Sequence, residues 1–319
     1  MAICFVFPGQ GSQDVGMGRE LAQNFAAARE VFDEVDAALG QKLSALMWDG
    51  PKETLTLTEN AQPALMAVSM AVMRVLEREK GFKLADKVKY VAGHSLGEYS
   101  ALAAAGAFSL ADTARLLKLR GQAMQKAVPV GEGAMSALLG VGLDVAQKVA
   151  EAAAAAGKDT GDVCQVANDN EPTQVVLSGH KRALDRVPDI GKPLGVRRAV
   201  ALPVSAPFHC ALMQPAADAM AEALAKVEIR APVVPVIANV LASPISDPAE
   251  IRRRLVEQVT GTVRWRECTL YMAANGITDI YEIGAGKVLA GLVKRINKDF
   301  NASSLGTPAD IDAALAGLV

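Results

Sequence analysis

Histidine is scarce in this chain: His94, His180 and His209 are the three among 319 residues. Any mechanism needing an imidazole base must draw on one of them. The four cysteines, Cys4, Cys164, Cys210 and Cys268, form no CxxC pair. With so few histidines no zinc-ligand spacing is available, and no metal is expected. The cysteines read as reduced and structural, Cys210 included, since free Cys behaves mostly as a small buried hydrophobe. An excess of one charge is missing too. The net charge of −2 offers no bulk attraction for nucleic acid. Long apolar runs are also absent. The opening MAICFVFPGQ carries no Lys or Arg and is cut short by Pro8 and Gly9, so it suits neither a signal peptide nor an anchor. ALMAVSMAVMRVL is interrupted by Arg74 and is too short to span a bilayer. A cytoplasmic protein without membrane attachment is expected.

What is present is apolar material in quantity. Hydrophobic residues make up 51% and charged residues 21%, the balance of a globular chain with a sizeable core. No tandem repeat is evident. ICFVF at residues 3–7 is a short β-type run closed by the turn-formers PGQGSQ. Residues 61–78 suit a helix. VKYVAG at residues 88–93 reads as a buried strand and HSLGEYSALAAAGA as the helix after it, the layout of an α/β unit. SLADTARLLKLRGQAMQKA is a second helix, with Ser109 and Asp112 at its N-terminus as a cap.

The pattern then changes. AMSALLGV, DVCQVAN, QVVLSG and GVRRAVALPV suit strands, while LDVAQKVAEAAAAA and HKRALDRV suit helices. Their order, β-α-β-β-α-β, is ferredoxin-like. The unit lies between two stretches of α/β character, so it reads as an insertion. Afterwards PAADAMAEALAKV and KVLAGLVKRI suit helices, and VVPVIANV and ITDIYEIG suit strands. The expected fold is α/β: a large α/β-hydrolase-like domain with a parallel-sheet core, formed by residues 1–127 and 201–319. A small ferredoxin-like domain at residues 128–200 is inserted in it.

GHSLG at residues 93–97 sits at the strand-to-helix junction and matches the G-x-S-x-G nucleophile elbow. Gly93 and Gly97 remove side chains that would crowd a sharp turn at Ser95. The turn presents the hydroxyl at a helix N-terminus, where free N–H groups favour negative charge. An unassisted serine is a poor nucleophile and needs a base. His94 adjoins Ser95 at a turn where side chains diverge, so it reads as a packing residue. His180 lies in a loop of the inserted unit. Elimination leaves His209, in ALPVSAPFHCALM, against the simpler alternative of a structural loop histidine. No Asp or Glu stands out to orient it, and a carbonyl would suffice, because Nδ1–H needs only an acceptor. GAGK at residues 284–287 is not a phosphate loop: the pattern requires Gly where Tyr281 stands and Ser or Thr where Val288 stands.

Arg120 lies on the apolar stripe of its helix with Leu110, Ala114, Leu117 and Met124, whereas Arg115 and Lys118 fall off it. A stripe arginine either snorkels to the surface, here beside Gly121, or meets a buried anion. Facing Ser95, it would hold a carboxylate bidentately, and the substrate would be an acyl group bearing one.

These segments carry a resemblance. FVFPGQGSQDVGMG, QPALMAVSMA, AGHSLGEYSALAAAG, KLRGQAMQKAVPVGEGAM, PVSAPFHCALM and YEIGAGKVLAGLVKRI run in order over nearly the whole chain. Together they resemble the malonyl-CoA:acyl carrier protein transacylase family, in the stand-alone form of type II fatty acid synthesis. The resemblance implies that Ser95 is acylated, that His209 is its base and that Arg120 binds the malonyl carboxylate. It implies backbone N–H groups of Gln10 and Leu96 as the oxyanion hole. It gives the Gln258 backbone carbonyl the task of orienting His209, and puts Asn168 and Asn170 on the pocket side. Leu96 after the serine and Phe208 before the histidine match enzymes taking malonyl rather than branched groups. Ala285, Glu171 and Thr173 depart from the residues usual at their positions and bear on loop geometry, not on the chemistry.

The implied reaction is ping-pong transfer of malonyl from malonyl-CoA through malonyl-Ser95 to the phosphopantetheine thiol of acyl carrier protein. No bound cofactor is implied, and a monomer is expected. Carrier docking would use basic residues such as Lys192, Arg197, Arg198, Lys287, Lys294 and Arg295. Alternatives are a trans-acting polyketide-type acyltransferase, a serine thioester hydrolase on the same elbow, and a non-catalytic carrier-binding module.

Overall fold

In the computed structural model, which describes residues 2–204 and 206–318, the run ICFVF forms strand β1 (Ile3–Phe7), buried at every position. A strand can be apolar on both faces only when both are covered. β1 meets that condition at the centre of a sheet, with parallel neighbours on either side. These are β2 (Val88–Gly93) and, further along the chain, the Asp279–Ile283 strand. Between them in sequence run β3 (Gly133–Leu139), β4 (Cys164–Glu171), β5 (Gln174–His180), β6 (Arg198–Ala201), β7 (Val236–Ala238) and β8 (Ser243–Ile245). Asp279–Ile283 is β9, and β10 is Asn301–Leu305. Among the described residues the first sheet has the order β10-β9-β1-β2-β7-β8, parallel except for the closing β7–β8 pair.

Alternate side chains of β1 serve opposite cores. Phe5 and Phe7 pack with the helices Thr58–Glu79 and Leu110–Lys126, while Cys4 and Val6 pack with Trp265–Ala274 and Val288–Ile296. A sheet covered by helices on both faces places its ligand-binding edge at the carboxyl ends of the strands. Both β1 and β2 end there, one in PGQG and the other in GHSLG.

The second sheet has the order β4-β5-β3-β6 and is antiparallel throughout. Its core joins Leu138, Val175 and Leu177 to Val149 and Ala153 of the helix Leu143–Ala155. In chain order it runs strand, helix, strand, strand, two short helices, strand. It is joined to the first unit along β4. Val263 N–H donates to the Ala167 carbonyl at 2.9 Å, and Asp169 N–H donates to the Val263 carbonyl at 3.0 Å. The buried Asp169 carboxylate accepts from Arg266 Nε, with its two oxygens at 3.1 and 2.9 Å.

Several elements differ from the sequence expectation. β10 is not foreseen, because NASSL lacks an apolar run. As an edge strand it buries few of its side chains. VVPVIANV contributes only Val236–Ala238, since Pro235 withholds the N–H a longer ladder needs. The helices Arg19–Asn24, Ala26–Leu39 and Leu43–Asp49 are additional to those expected. No helix among the described residues is long and apolar enough to cross a membrane.

Glu282 is fully buried on β9 and caps the following helix: its carboxylate accepts from Leu289 N–H at 3.1 Å and Ala290 N–H at 2.8 Å. The partial positive charge of a helix N-terminus favours this anion. Replacing Glu282 by Ala should cost about 1–3 kcal/mol for each buried donor left without a partner. Urea denaturation reads this directly, and an unchanged midpoint would contradict the capping role.

Candidate active site

At the end of β2 the backbone turns sharply, and Ser95 sits at φ +54°. Left-handed backbone is unfavourable for a residue with a Cβ. The two flanking glycines make the turn sterically possible. A Cβ on Gly93 would collide with the Gly97 carbonyl, and one on Gly97 with the Phe7 carbonyl. The turn is then held by hydrogen bonds from distant elements. His94 N–H donates to the Phe7 carbonyl at 3.1 Å, and Ser95 N–H donates to Asn239 Oδ1 at 2.8 Å. Asn239 Nδ2 donates to the Gly93 carbonyl at 2.7 Å, and Gln258 Nε2 donates to the Ser95 carbonyl at 3.0 Å.

His209, itself at φ +58°, lies 2.7 Å from Ser95 Oγ through Nε2. Its Nδ1 is 2.9 Å from the Gln258 backbone carbonyl. A carbonyl only accepts, so Nδ1 carries the proton and Nε2 is left bare to accept from the serine hydroxyl. This is the tautomer a base needs. Burial, and next the positive charge of Arg120, hold the imidazole down to about 3, so it is neutral at physiological pH.

Arg120 is 1% exposed and does not snorkel. Nη1 donates to Gln62 Oε1 at 2.8 Å, while Nη2 donates to Gln258 Oε1 at 2.9 Å and to Ser95 Oγ at 3.1 Å. Its guanidinium also lies 5.7 Å from the Tyr99 ring centroid. Among the described residues its hydrogen-bond acceptors are all neutral, and burial lowers its pKa. Gly121 does not break the helix. A Cβ there would strike the backbone of Thr58 and Glu59, so the glycine lets two helices approach closely and brings Arg120 beside Gln62. Glu98, on the helix that follows the elbow, is equally buried. Its Oε2 accepts from Asn239 N–H at 2.9 Å and from Gln258 Nε2 at 3.0 Å. Burial pushes this carboxyl up to about 7 against those hydrogen bonds and the Arg120 charge.

A cavity of about 250 Å³ opens over Ser95. Gln10, Leu96, Arg120, Asn168, Phe208 and His209 all line it. Met135, Leu202 and Val204 close the side toward the second sheet. Asn170 stands behind His94, its Oδ1 2.9 Å from Nε2 of that ring, rather than on the cavity wall. His94 also packs against Trp265, with centroids 5.7 Å apart. His180 accepts from Val163 N–H through Nδ1 at 2.9 Å, within the second sheet. Cys210 is buried, its thiol donates to the Pro207 carbonyl at 3.2 Å, and burial raises its pKa.

Gln62, Asn239, Glu98 and the side chain of Gln258 escaped the sequence reading. Each is buried in the structure, Glu98 on a helix buried at every position from Gly97 to Ala104, and no sequence pattern marks them.

An imidazole depressed in the folded state supports folding above its ordinary value of 6.5. That support is lost as pH falls toward about 3. Replacing His209 by Gln should therefore flatten the loss of stability between pH 6.5 and 4. Urea denaturation of both proteins across that range checks this, and parallel curves would contradict the depressed value.

The acyl transferase domain model matches residues 4–306. The malonyl CoA-acyl carrier protein transacylase of Salmonella typhimurium is 47% identical over 98% of both chains, and that of Bacillus subtilis strain 168 is 43% identical over 99% of this chain and 97% of its own. Among solved structures, the acyl-carrier-protein S-malonyltransferase of Bartonella henselae is 56% identical, with a TM-score of 0.96 over 100% of this chain and 99% of its own. A malonyl transacylase solved in complex with its type II polyketide synthase acyl carrier protein is 41% identical. Its TM-score is 0.94 over 99% of this chain and 100% of that one. With Ser95, His209 and Arg120 meeting at one cavity and this likeness running over the full chain, the protein belongs to the acyl transferase domain family, among its malonyl CoA-acyl carrier protein transacylases.

Proposed function

We propose that this enzyme transfers malonyl groups from malonyl-CoA to acyl carrier protein, supplying fatty acid synthesis, through a malonyl-Ser95 intermediate. The observation that carries the reading is Arg120: a buried guanidinium 3.1 Å from a serine hydroxyl, with only neutral hydrogen-bond acceptors among the described residues. A malonyl carboxylate supplies the missing anion and brings its thioester carbonyl to Ser95. His209 Nε2 takes the serine proton as Oγ attacks that carbonyl. The tetrahedral oxyanion is received by the backbone N–H groups of Gln10 and Leu96. The intermediate collapses, His209 returns the proton to the departing CoA sulfur, and malonyl-Ser95 remains. The pantetheine thiol of the carrier then gives its proton to His209 and attacks, and Ser95 leaves with that proton. The Gln258 carbonyl keeps the imidazole in one orientation throughout.

Leu96 and Phe208 narrow the cavity against branched acyl groups, and Asn168 flanks the acyl chain. Asn170 acts on His94 rather than on substrate. The carrier docks through exposed basic residues among Lys192, Arg197, Arg198, Lys287, Lys294 and Arg295. The second sheet is a ferredoxin-like domain of residues 128–200 inserted into a hydrolase-like domain of residues 1–127 and 201–319. Its strand order and its return to β7 support this division. The enzyme works as a cytoplasmic monomer. A hydrolase on the same elbow is not favoured, because the relatives named above are transacylases and malonyltransferases.

Incubation with malonyl-CoA should add one malonyl group to the protein by intact mass, and holo-acyl carrier protein should discharge it. Ser95→Ala should abolish both events; label found on Cys210 or another serine would overturn the assignment. Arg120→Ala should lower kcat/KM for malonyl-CoA by roughly 10² to 10⁴, from two lost hydrogen bonds to a charged group. Acetyl-CoA turnover should be spared or improved. Equal losses for both thioesters would make Arg120 purely structural.

A further inference from the structure

Glu98 lies outside the groups that the reaction above employs, yet its hydrogen bonds lead through Asn239 and Gln258 to Ser95, His209 and Arg120. Its Oε2 receives Asn239 N–H and Gln258 Nε2. Asn239 and Gln258 hold Ser95 from distant parts of the chain, one through its N–H and the other through its carbonyl, which also accepts Glu98 N–H at 3.0 Å. Gln258 also reaches His209 through its backbone carbonyl and Arg120 through its side-chain oxygen. A primary amide has a donor end and an acceptor end, and either can face a given partner. At Gln258 the donor end points at Glu98 and the Ser95 carbonyl, each at 3.0 Å, and at Asn239 Oδ1 at 3.4 Å, all acceptors. The acceptor end is therefore the one presented to Arg120 Nη2. With the amide reversed, its NH₂ would oppose the guanidinium, donor to donor, in a buried site.

We propose that Glu98 is a positioning residue for substrate selection. By fixing which end of the Gln258 amide faces Arg120, it sets the guanidinium in the orientation that receives a carboxylate-bearing acyl group. The inference rests on the reading of Arg120 as the carboxylate site. Both groups donating to Glu98 are N–H groups, so what matters is an acceptor at Oε2. A protonated acid or a glutamine, each with a carbonyl oxygen there, can fill that place. An alanine cannot, and an aspartate, one methylene shorter, falls short of Gln258.

The test compares wild type, Glu98→Ala, Glu98→Asp and Glu98→Gln on malonyl-CoA and acetyl-CoA, with circular dichroism as the check on folding. In wild type, malonyl-CoA should be preferred and Arg120→Ala should remove the preference. If it does not, the reading of Arg120 fails, whatever Glu98 does. Given that preference, Glu98→Ala should raise KM for malonyl-CoA roughly 10- to 100-fold, the effect of losing one well-set hydrogen bond to a charged group. Its kcat should change less than KM, and its acetyl-CoA kinetics should change little. Glu98→Gln should restore most of the preference. Should the alanine variant not fold, Glu98→Asp carries the same expectation. Equal losses on both thioesters, a preference kept in Glu98→Ala or Glu98→Asp, or no rescue by Glu98→Gln would each overturn the proposal.

Discussion

The left-handed turn at Ser95 is the constraint on which the site depends. It is unfavourable for a residue with a side chain, and it persists because the surroundings supply hydrogen bonds that a relaxed turn would forgo. Those bonds come from Asn239, at the end of β7, and from Gln258, in the helix Pro248–Thr260. Both lie more than 140 residues further along the chain. The nucleophile is thus not a local product of GHSLG: the glycines permit the turn, and residues from the far half of the chain hold it. His209, the partner of Ser95, is also in left-handed backbone, so both ends of the 2.7 Å contact are held against local preference.

Burial of Arg120 among neutral acceptors has two consequences that reinforce each other. It creates a site for an anion next to the serine, and the Arg120 charge adds to the imidazole's own burial in keeping His209 neutral. An exposed arginine at the same distance would be screened by solvent and would do neither well. Tyr99 and Gln62 hold the guanidinium without neutralising it.

The second sheet supplies the opposite wall. β4 is joined to the segment before the helix Trp265–Ala274 by backbone bonds at Val263, and to the helix itself by the Asp169–Arg266 pair. That seam carries Asn168 to the cavity and Asn170 to the back of His94. Met135, Leu202 and Val204 face Ser95 across the opening because β3, and the chain leaving β6, run beside it. The cavity therefore lies between two units that the chain visits in the order first, second, first.

Much of this was written in local sequence. The doubly buried β1, the strand-turn-helix around Ser95, the capped helix bearing Arg120 and the succession of strands and helices from Gly133 to Ala201 follow from short-range periodicity and turn chemistry. With three histidines, elimination alone pointed to His209. The stripe position of Arg120 announced an arginine out of place but left open whether it reached the surface. Gly121 decided that, and its effect is visible only once two helices pack. Glu98, Gln62 and Asn239 are buried polar residues, and their sequence neighbourhoods do not say what each one meets. Which end of an amide faces a guanidinium, which carbonyl meets Nδ1 and which strands brace the elbow are settled by contacts between residues far apart in sequence. Only the tertiary structure decides these, because a hydrogen bond depends on distance and direction in space, while sequence pattern reports only periodicity along the chain.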